Sequence, residues 1–425
     1  MQSDYAARLG IDWADQKHAW ALQVADESRT EQGELEHTPE AVDQFVAGLA
    51  ARFPGGKVAV ALEQSRGPLF YMLSKYQHVD LYPVHPSTLD HYRQSFYPSG
   101  AKSDPRDAAL ILELLVKHPE RLRVVVADTP EARQLGMLVE DRREAVDDKT
   151  RAGNQLRAQL KLYFPHLLAW FDVDQVVLAE MLCKWPTLEQ LQRVAPARLE
   201  KFLRQRSVPE SKRQRIGQEL TSAVSALTDR AVIESAQGKA RHLIALLELL
   251  RARIAELRRQ IDDLTAVHPD RAIFESLPAA GPVMLPRLLA AFGTQRDRFR
   301  TALELQCYSG IAPVTESSGK TKIVKWRWGA PTFLRQTFHE WAWLSTRGSE
   351  WARTYYDRQR ARHKSHHAAV RALAFKWLRI LFRCWQQHQP YQESRYLAAV
   401  QKRANPVVIT LKKSSGLTPV SELLA

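Results

Sequence analysis

Apolar positions in the first 128 residues fall into short runs bounded by polar or turn-forming residues. The runs at 7–12, 19–25, 57–63 and 79–84 read as strands, rich in Val, Leu, Ile and Ala. Between and after them the apolar spacing changes to three and four, which predicts helices over 39–52, 68–77, 86–95 and 104–117. Two early strands in succession, then strand–helix alternation, predict an α/β domain with a mixed sheet. Ligands of such sheets bind beyond the carboxyl ends of the strands.

From about residue 130 the pattern turns helical and stays so. Residues 131–163 are highly charged and free of proline. Further on, Leu243, Leu247, Leu250, Ile254, Leu257, Ile261 and Leu264 step by four and three, an a/d seam over about three heptads. The seam reads equally well as a helix packed on its own domain and as an intermolecular coiled coil. With 131–163 as its partner it makes an antiparallel helical arm. Residues 166–235 form a helical insert whose role the sequence does not disclose. Near 268 a third domain begins. There, Ser276-Leu277-Pro278-Ala279-Ala280-Gly281-Pro282-Val283 and the apolar stretch Met284 to Phe292 read as a helix-hairpin-helix or as a plain packing turn. The first alternative presents backbone N–H groups to a phosphate. The spacing of Val370, Leu373, Ala374, Trp377, Leu378, Leu381 and Trp385 predicts a helix with one core face. The expected division is therefore 1–128, 129–267 with the insert 166–235, 268–392, and a tail 393–425 without regular structure.

Charge sharpens this division. The formal net charge is +14, yet residues 1–100 carry eight Lys/Arg against thirteen Asp/Glu, so the remainder supplies +19. An acidic start joined to a basic remainder predicts a cation-dependent domain followed by segments that bind a polyanion, most commonly nucleic acid. Residues 353–383 hold nine Lys/Arg against one acid, Asp357. That single-signed charge favours phosphate contact over a merely solvated face. Cys183, Cys307 and Cys384 lack CxxC spacing, which argues against zinc and disulfides and fits a reducing cytosol. No signal-like start and no spanning apolar run are present, so a cytoplasmic, nucleoid-associated protein with no membrane partner is expected.

Candidate chemistry concentrates on four carboxylates. Asp12 and Glu63 each end an apolar β-run, and Asp104 and Asp107 stand three apart at the start of a helix, on one face of its first turn. Taken singly, these acids have ordinary explanations: turn formers at strand ends, or Asp104 as a helix N-cap ahead of Pro105. Taken together they offer the oxygen ligands that Mg²⁺ or Mn²⁺ requires for phosphoryl transfer. A second candidate is the polar stretch Thr315-Glu316-Ser317-Ser318-Gly319-Lys320. It reads either as an exposed hairpin or as a serine nucleophile with Lys320, Lys322, Lys325 and Arg327 nearby to stabilise developing charge. Arg335, Arg360, Arg362, Lys364 and Arg371 are the further nucleic-acid-contact candidates.

These motifs occur in an order that resembles the IS-one-ten (IS110) family of insertion-sequence transposases. The order is Gly-Ile-Asp, Leu-Glu-Gln-Ser, Lys-Ser-Asp-Pro-Arg-Asp, a charged helical arm, Leu-Pro-Ala-Ala-Gly, then Gly-Ile-Ala-Pro-Val-Thr-Glu-Ser-Ser-Gly-Lys. The likeness spans about 5–390. It implies a RuvC-like (RNase H-like) α/β domain with a metal site of Asp12, Glu63, Asp104 and Asp107, a coiled-coil arm, and a mainly α C-terminal domain with Ser318 as catalytic serine. It further implies Mg²⁺ (or Mn²⁺), donor and target DNA, a structured guide RNA, and a homo-oligomer, dimer or tetramer, with a composite active site. The alternatives are a Holliday-junction-type endonuclease, which needs no serine, and a non-catalytic RNA- or DNA-binding protein.

Overall fold

The computed structural model describes residues 5–25, 27–63, 66–96, 103–319, 321–327 and 329–403. They form two compact units, one ending at Ala127 and the other starting at Asp128.

The first unit is built on a five-stranded sheet in the order β3-β2-β1-β4-β5. Its strands are β1 (Ala7–Asp12), β2 (Lys17–Val24), β3 (Thr30–Glu36), β4 (Val58–Leu62) and β5 (Val79–Pro83). β1 pairs antiparallel with β2, and β2 with β3, whereas β1–β4 and β4–β5 are parallel. The mixed sheet matches expectation. β3 was not foreseen because Thr-Glu-Gln-Gly-Glu-Leu-Glu is polar and glycine-containing, and it pairs as an edge strand with one buried residue, Leu35. The helices are α1 (Pro39–Arg52), α2 (Pro68–Leu73), α3 (Pro86–Phe96) and α4 (Asp104–Lys117).

The two faces of the sheet differ in side-chain size. Leu9, Ile11, Val58, Val60 and Leu62 build one core with α1 and α2. The other face carries Gly10, Ala19, Ala21, Ala59 and Ala61, and α4 lies on it through Ala108, Ile111, Leu112 and Leu115. Small residues let the helix approach closely. A Cβ on Gly10 would stand 2.4 Å from both Ala108 O and Leu112 N, so only glycine fits there.

The second unit begins with α5 (Pro130–Tyr163) and returns along it with α11 (Arg230–Ala266). They run antiparallel: Leu135 and Val139 share a core with Ile261, while Leu156 and Leu160 share another with Leu243 and Leu247. The seam read from the sequence therefore faces a partner within the same chain. Leu243, Leu247, Leu257 and Ile261 are buried, and Leu250, Ile254 and Leu264 are half-buried. The insert folds as α6 (Pro165–Trp170), α7 (Val176–Lys184), α8 (Leu188–Gln192), α9 (Pro196–Gln205) and α10 (Glu210–Ser222). It encloses the far end of the α5–α11 pair in its own core, which gives it a structural role.

At the near end, α12 (Arg271–Glu275), α13 (Met284–Phe292), α14 (Ala302–Tyr308), α15 (Thr332–Ser345), α16 (Glu350–Ala361), α17 (His366–Gln386) and α18 (Glu393–Arg403) share one core. All seven predicted core residues of α17 are buried. Trp377 packs on Trp341 and Trp351 with ring centroids 4.9 and 4.5 Å away. The α12–α13 turn puts Ala279, not a glycine, at φ 59°. One expectation is corrected here. Residues 393–403 of the expected unstructured tail are helical, with Tyr396 and Leu397 packed on the core; 404–425 lie outside the described residues. The 314–325 segment is the exposed hairpin that one reading of the sequence offered, β6 (Val314–Ser318) antiparallel to β7 (Thr321–Lys325).

Candidate active site and nucleic-acid contacts

The sheet register decides where the acids fall. Ile11 is paired with Leu62 across the parallel strands β1 and β4, so Asp12 and Glu63 follow side by side at their carboxyl ends. Asp12 has the same parity as Gly10 and thus belongs to the face covered by α4. It is 2% exposed, while Glu63 is half-buried. On that face α4 crosses β1 at Gly10 with Ala108, and its first turn carries Asp104 and Asp107. The N-cap is Ser103 rather than Asp104, which is the first helical residue. Acids in this first turn are favoured by the helix dipole.

Asp107 is 1% exposed and is held by an arginine that the sequence reading missed. Arg93 of α3 donates Nε to Oδ1 at 2.7 Å and Nη2 to Oδ2 at 3.0 Å. Its Nη1 reaches Asp90 at 2.7 Å. The hydrogen bond to Asp107 holds the Arg93 guanidinium above its ordinary pKa despite burial. Asp104, by contrast, is exposed.

Among the described residues, no three His, Cys, Asp or Glu stand together as a ready ligand set. The expected four-carboxylate cluster is thus not closed in this structure, and like charge explains why. Carboxylates crowded in a desolvated site repel unless a cation compensates them, and Arg93 supplies that charge to Asp107. The donor chemistry nevertheless fits a hard divalent ion: oxygen ligands on two adjacent strand ends and one helix turn, two of them buried.

Ser318 belongs to the second unit. It ends β6, pairs with Thr321 across the turn, and precedes Gly319 at φ 56°, a conformation that suits glycine at the first turn position. Ser317, Ser318 and Gly319 are all exposed. Of the nearby cations, Lys320 and the side chain of Lys322 lie outside the described residues. Lys325 pairs with Glu316 at 2.6 Å. Arg371 lies over the Trp326 ring at 4.4 Å, with Arg335 at 6.0 Å from the same ring. Burial lowers the pKa of Arg371. Arg327 is half-buried beside this cluster, and its backbone carbonyl accepts from Arg335 Nη1 at 3.4 Å. Arg360, Arg362 and Lys364 are exposed on the α16–α17 turn, where Arg360 Nη1 donates to the Lys364 carbonyl at 2.6 Å and Lys364 Nζ to Gln359 Oε1 at 2.6 Å. The basic candidates therefore form two groups, one around Trp326 and one on this turn.

The same stretches match known proteins. Residues 9–165 match the IS110 DEDD family model, described as a transposase, and residues 271–357 match the model described as Transposase IS116/IS110/IS902 family. The chain belongs to the IS110 family of transposases. Across 409 residues it is 28% identical to the mini-circle protein assigned as the IS117 transposase of Streptomyces coelicolor, covering 93% of this chain and 97% of that one. It is 30% identical over 318 residues to the 43.6 kDa protein of insertion element IS110 from the same organism, 72% and 76% of the two chains. The 42 kDa protein of insertion element IS900 from Mycobacterium paratuberculosis is 25% identical over 92% of this chain and 98% of its own. An IS110-family transposase acts on DNA, cutting and rejoining it. Its DEDD domain carries the RuvC-like N-terminal fold, seen here as the mixed sheet, and DEDD domains of this kind generally use a divalent metal. In this transposase no described helix is long and apolar enough to cross a membrane.

Proposed function

We propose that this transposase breaks and rejoins DNA strands through Ser318, assisted by a divalent ion held by Asp12, Glu63, Asp104 and Asp107, under the guidance of a structured RNA. The supporting observation is the placement of Asp12 and Glu63 side by side at the carboxyl ends of β1 and β4, with the first turn of α4 on the same face of the sheet. A bound Mg²⁺ or Mn²⁺ would polarise the scissile phosphate and stabilise charge on the leaving oxygen.

The chain's own groups supply the rest. Ser318 Oγ forms a bond to phosphorus as the bond to the departing sugar oxygen breaks; the serine proton passes to solvent or a carboxylate, and the sugar oxygen takes up a proton from solvent to leave as a hydroxyl. Attack on that phosphoserine by a free DNA hydroxyl then restores the serine and completes the exchange. Arg327, Arg335 and Arg371 around Trp326, and Arg360, Arg362 and Lys364 on the α16–α17 turn, hold backbone phosphates. Lys320 and Lys322 follow Ser318 in sequence and belong to the same proposal.

The test is recombination by purified protein with its RNA, both DNAs and Mg²⁺, followed by denaturing gels. An SDS-resistant protein–DNA adduct is expected for the wild type and for Ser317→Ala, and none for Ser318→Ala. Asp104→Ala should abolish exchange while RNA binding survives. Exchange that proceeds in Ser318→Ala would remove the serine from the nucleophile's role, and cleavage without rejoining in that variant would assign the attack to water and favour the junction-endonuclease reading.

A further inference from the structure

A cleft in the second unit, about 270 Å³ in volume, holds more positive charge than its own residues balance. Arg142 and Arg143 line it from α5, Arg258 from α11 and Arg287 from α13, and one carboxylate, Glu340 of α15, faces them. That carboxylate is shared, accepting from Arg143 Nη1 at 3.1 Å and from Arg287 Nη1 at 2.6 Å. Arg143 also donates Nε to Asp147 at 3.2 Å, and Arg258 stands 3.5 Å from Asp262.

The other two groups are less well served. Arg287 is 5% exposed and donates Nε to Thr337 Oγ1 at 3.2 Å, while its Nη2 is buried with no hydrogen-bond partner. Half-buried Arg142 makes no hydrogen bond or ion pair among the described residues. Its guanidinium is held below the ordinary arginine value by burial and then by Arg258 and Arg287, with Asp262 opposing. Crowded cations and an unsatisfied buried donor both destabilise the free protein, and one oxyanion relieves both.

We propose that this cleft seats a DNA backbone phosphate, with Arg142 as the donor that reaches it and Arg287 as the charged floor. Guanidiniums converge on the cleft from three helices, which suits a tetrahedral oxyanion better than a planar carboxylate. The assignment rests on DNA being the substrate. It adds to the basic groups already described a contact at the base of the α5–α11 pair, formed by arginines that sequence spacing did not single out.

Two titrations on the full-length, RNA-free protein test it: inorganic phosphate by calorimetry, and a short duplex of arbitrary sequence at increasing salt. Arg142→Gln should weaken phosphate binding about tenfold, the loss expected for one charge-assisted hydrogen bond. It should also reduce the log–log salt slope of duplex binding by roughly 0.9, one phosphate contact. Glu340→Gln should tighten phosphate binding, because it removes the competing carboxylate while the amide oxygen still accepts from Arg287. A merely structural role for these residues would not produce that gain. An unchanged salt slope in folded Arg142→Gln overturns the proposal, and if phosphate binding is nonetheless lost, the cleft takes a free anion instead. Strand exchange is not read, so failure of the serine chemistry leaves the outcome interpretable. A wild type that binds no duplex overturns this proposal and leaves the strand-exchange reading, which is tested with RNA present, standing.

Discussion

The Arg93–Asp107 pair shows how one residue substitutes for a cation. Asp107 is essentially inaccessible and its two oxygens are both engaged, so an ion can bind it only by displacing or sharing Arg93. Breaking a buried pair from one side costs about 3–5 kcal/mol. Arg93→Ala should therefore melt well below the wild type without metal, and Mg²⁺ should raise its melting temperature by more than it raises that of the wild type. Thermal melts with and without MgCl₂ measure this, and a variant melt indifferent to Mg²⁺ would show that Asp107 takes no part in ion binding. A second residue-scale effect concerns pH. His18 is fully buried, its Nδ1 accepts from the Ala14 N–H at 3.1 Å, and its Nε2 lies 2.9 Å from His37 Nδ1. Nε2 must then carry the proton. Burial, then His37, lowers the His18 pKa to about 4. The unfolded state binds this proton more readily, so the contribution is complete above about pH 6.5 and is lost as pH falls toward 4, up to about 3 kcal/mol. Urea unfolding at pH 7 and pH 5 should show a decline that flattens in His18→Gln.

At the scale of elements, the contact of α4 with the small-residue face of the sheet sets the spacing between the helix acids and the strand acids. Gly10→Ala would force Ala108 and Leu112 away from β1. Overpacking of this kind costs about 1–3 kcal/mol. The variant should lose some melting temperature but nearly all strand exchange, since it shifts Asp104 and Asp107 relative to Asp12. Exchange near the wild-type rate at reduced stability would show that this spacing is not critical. The same elements show what was legible in the sequence. Helices 39–52 and 104–117 were readable because apolar spacing and Pro at the first turn coincide, and Asp12 and Glu63 were readable because acids interrupt apolar runs. β3 was not, since an edge strand with one buried side chain lacks a two-residue alternation of any strength. Arg93, Arg142 and Arg287 were not, because each pairs with or faces residues distant in sequence, as Arg287 does with Glu340. The seam of α11 was visible as a stripe, and the long proline-free run 131–163 was readable as its antiparallel partner; what the heavy charge of α5 hid was which of its own apolar positions make the match.

For the whole molecule, the acids and Ser318 reside in different units of the chain. Nothing in the chemistry requires one copy to supply both. Asp12→Ala and Ser318→Ala proteins, each inactive, should regain part of the lost recombination when mixed with RNA and DNA; no recovery from mutants shown to co-assemble would mean that each copy works alone. The hairpin that carries Ser318 bears on a different matter. Its strands are exposed, Glu316 is committed to Lys325, and an isolated two-stranded ribbon is only marginally ordered in water. An exposed serine hydroxyl is an ordinary alcohol, no more reactive than those on the surface of any other protein. Under the serine chemistry proposed above, a nucleophile presented in this form can stand beside DNA and leave it intact, because the hydroxyl stays idle until an assembled substrate brings it an acceptor for its proton.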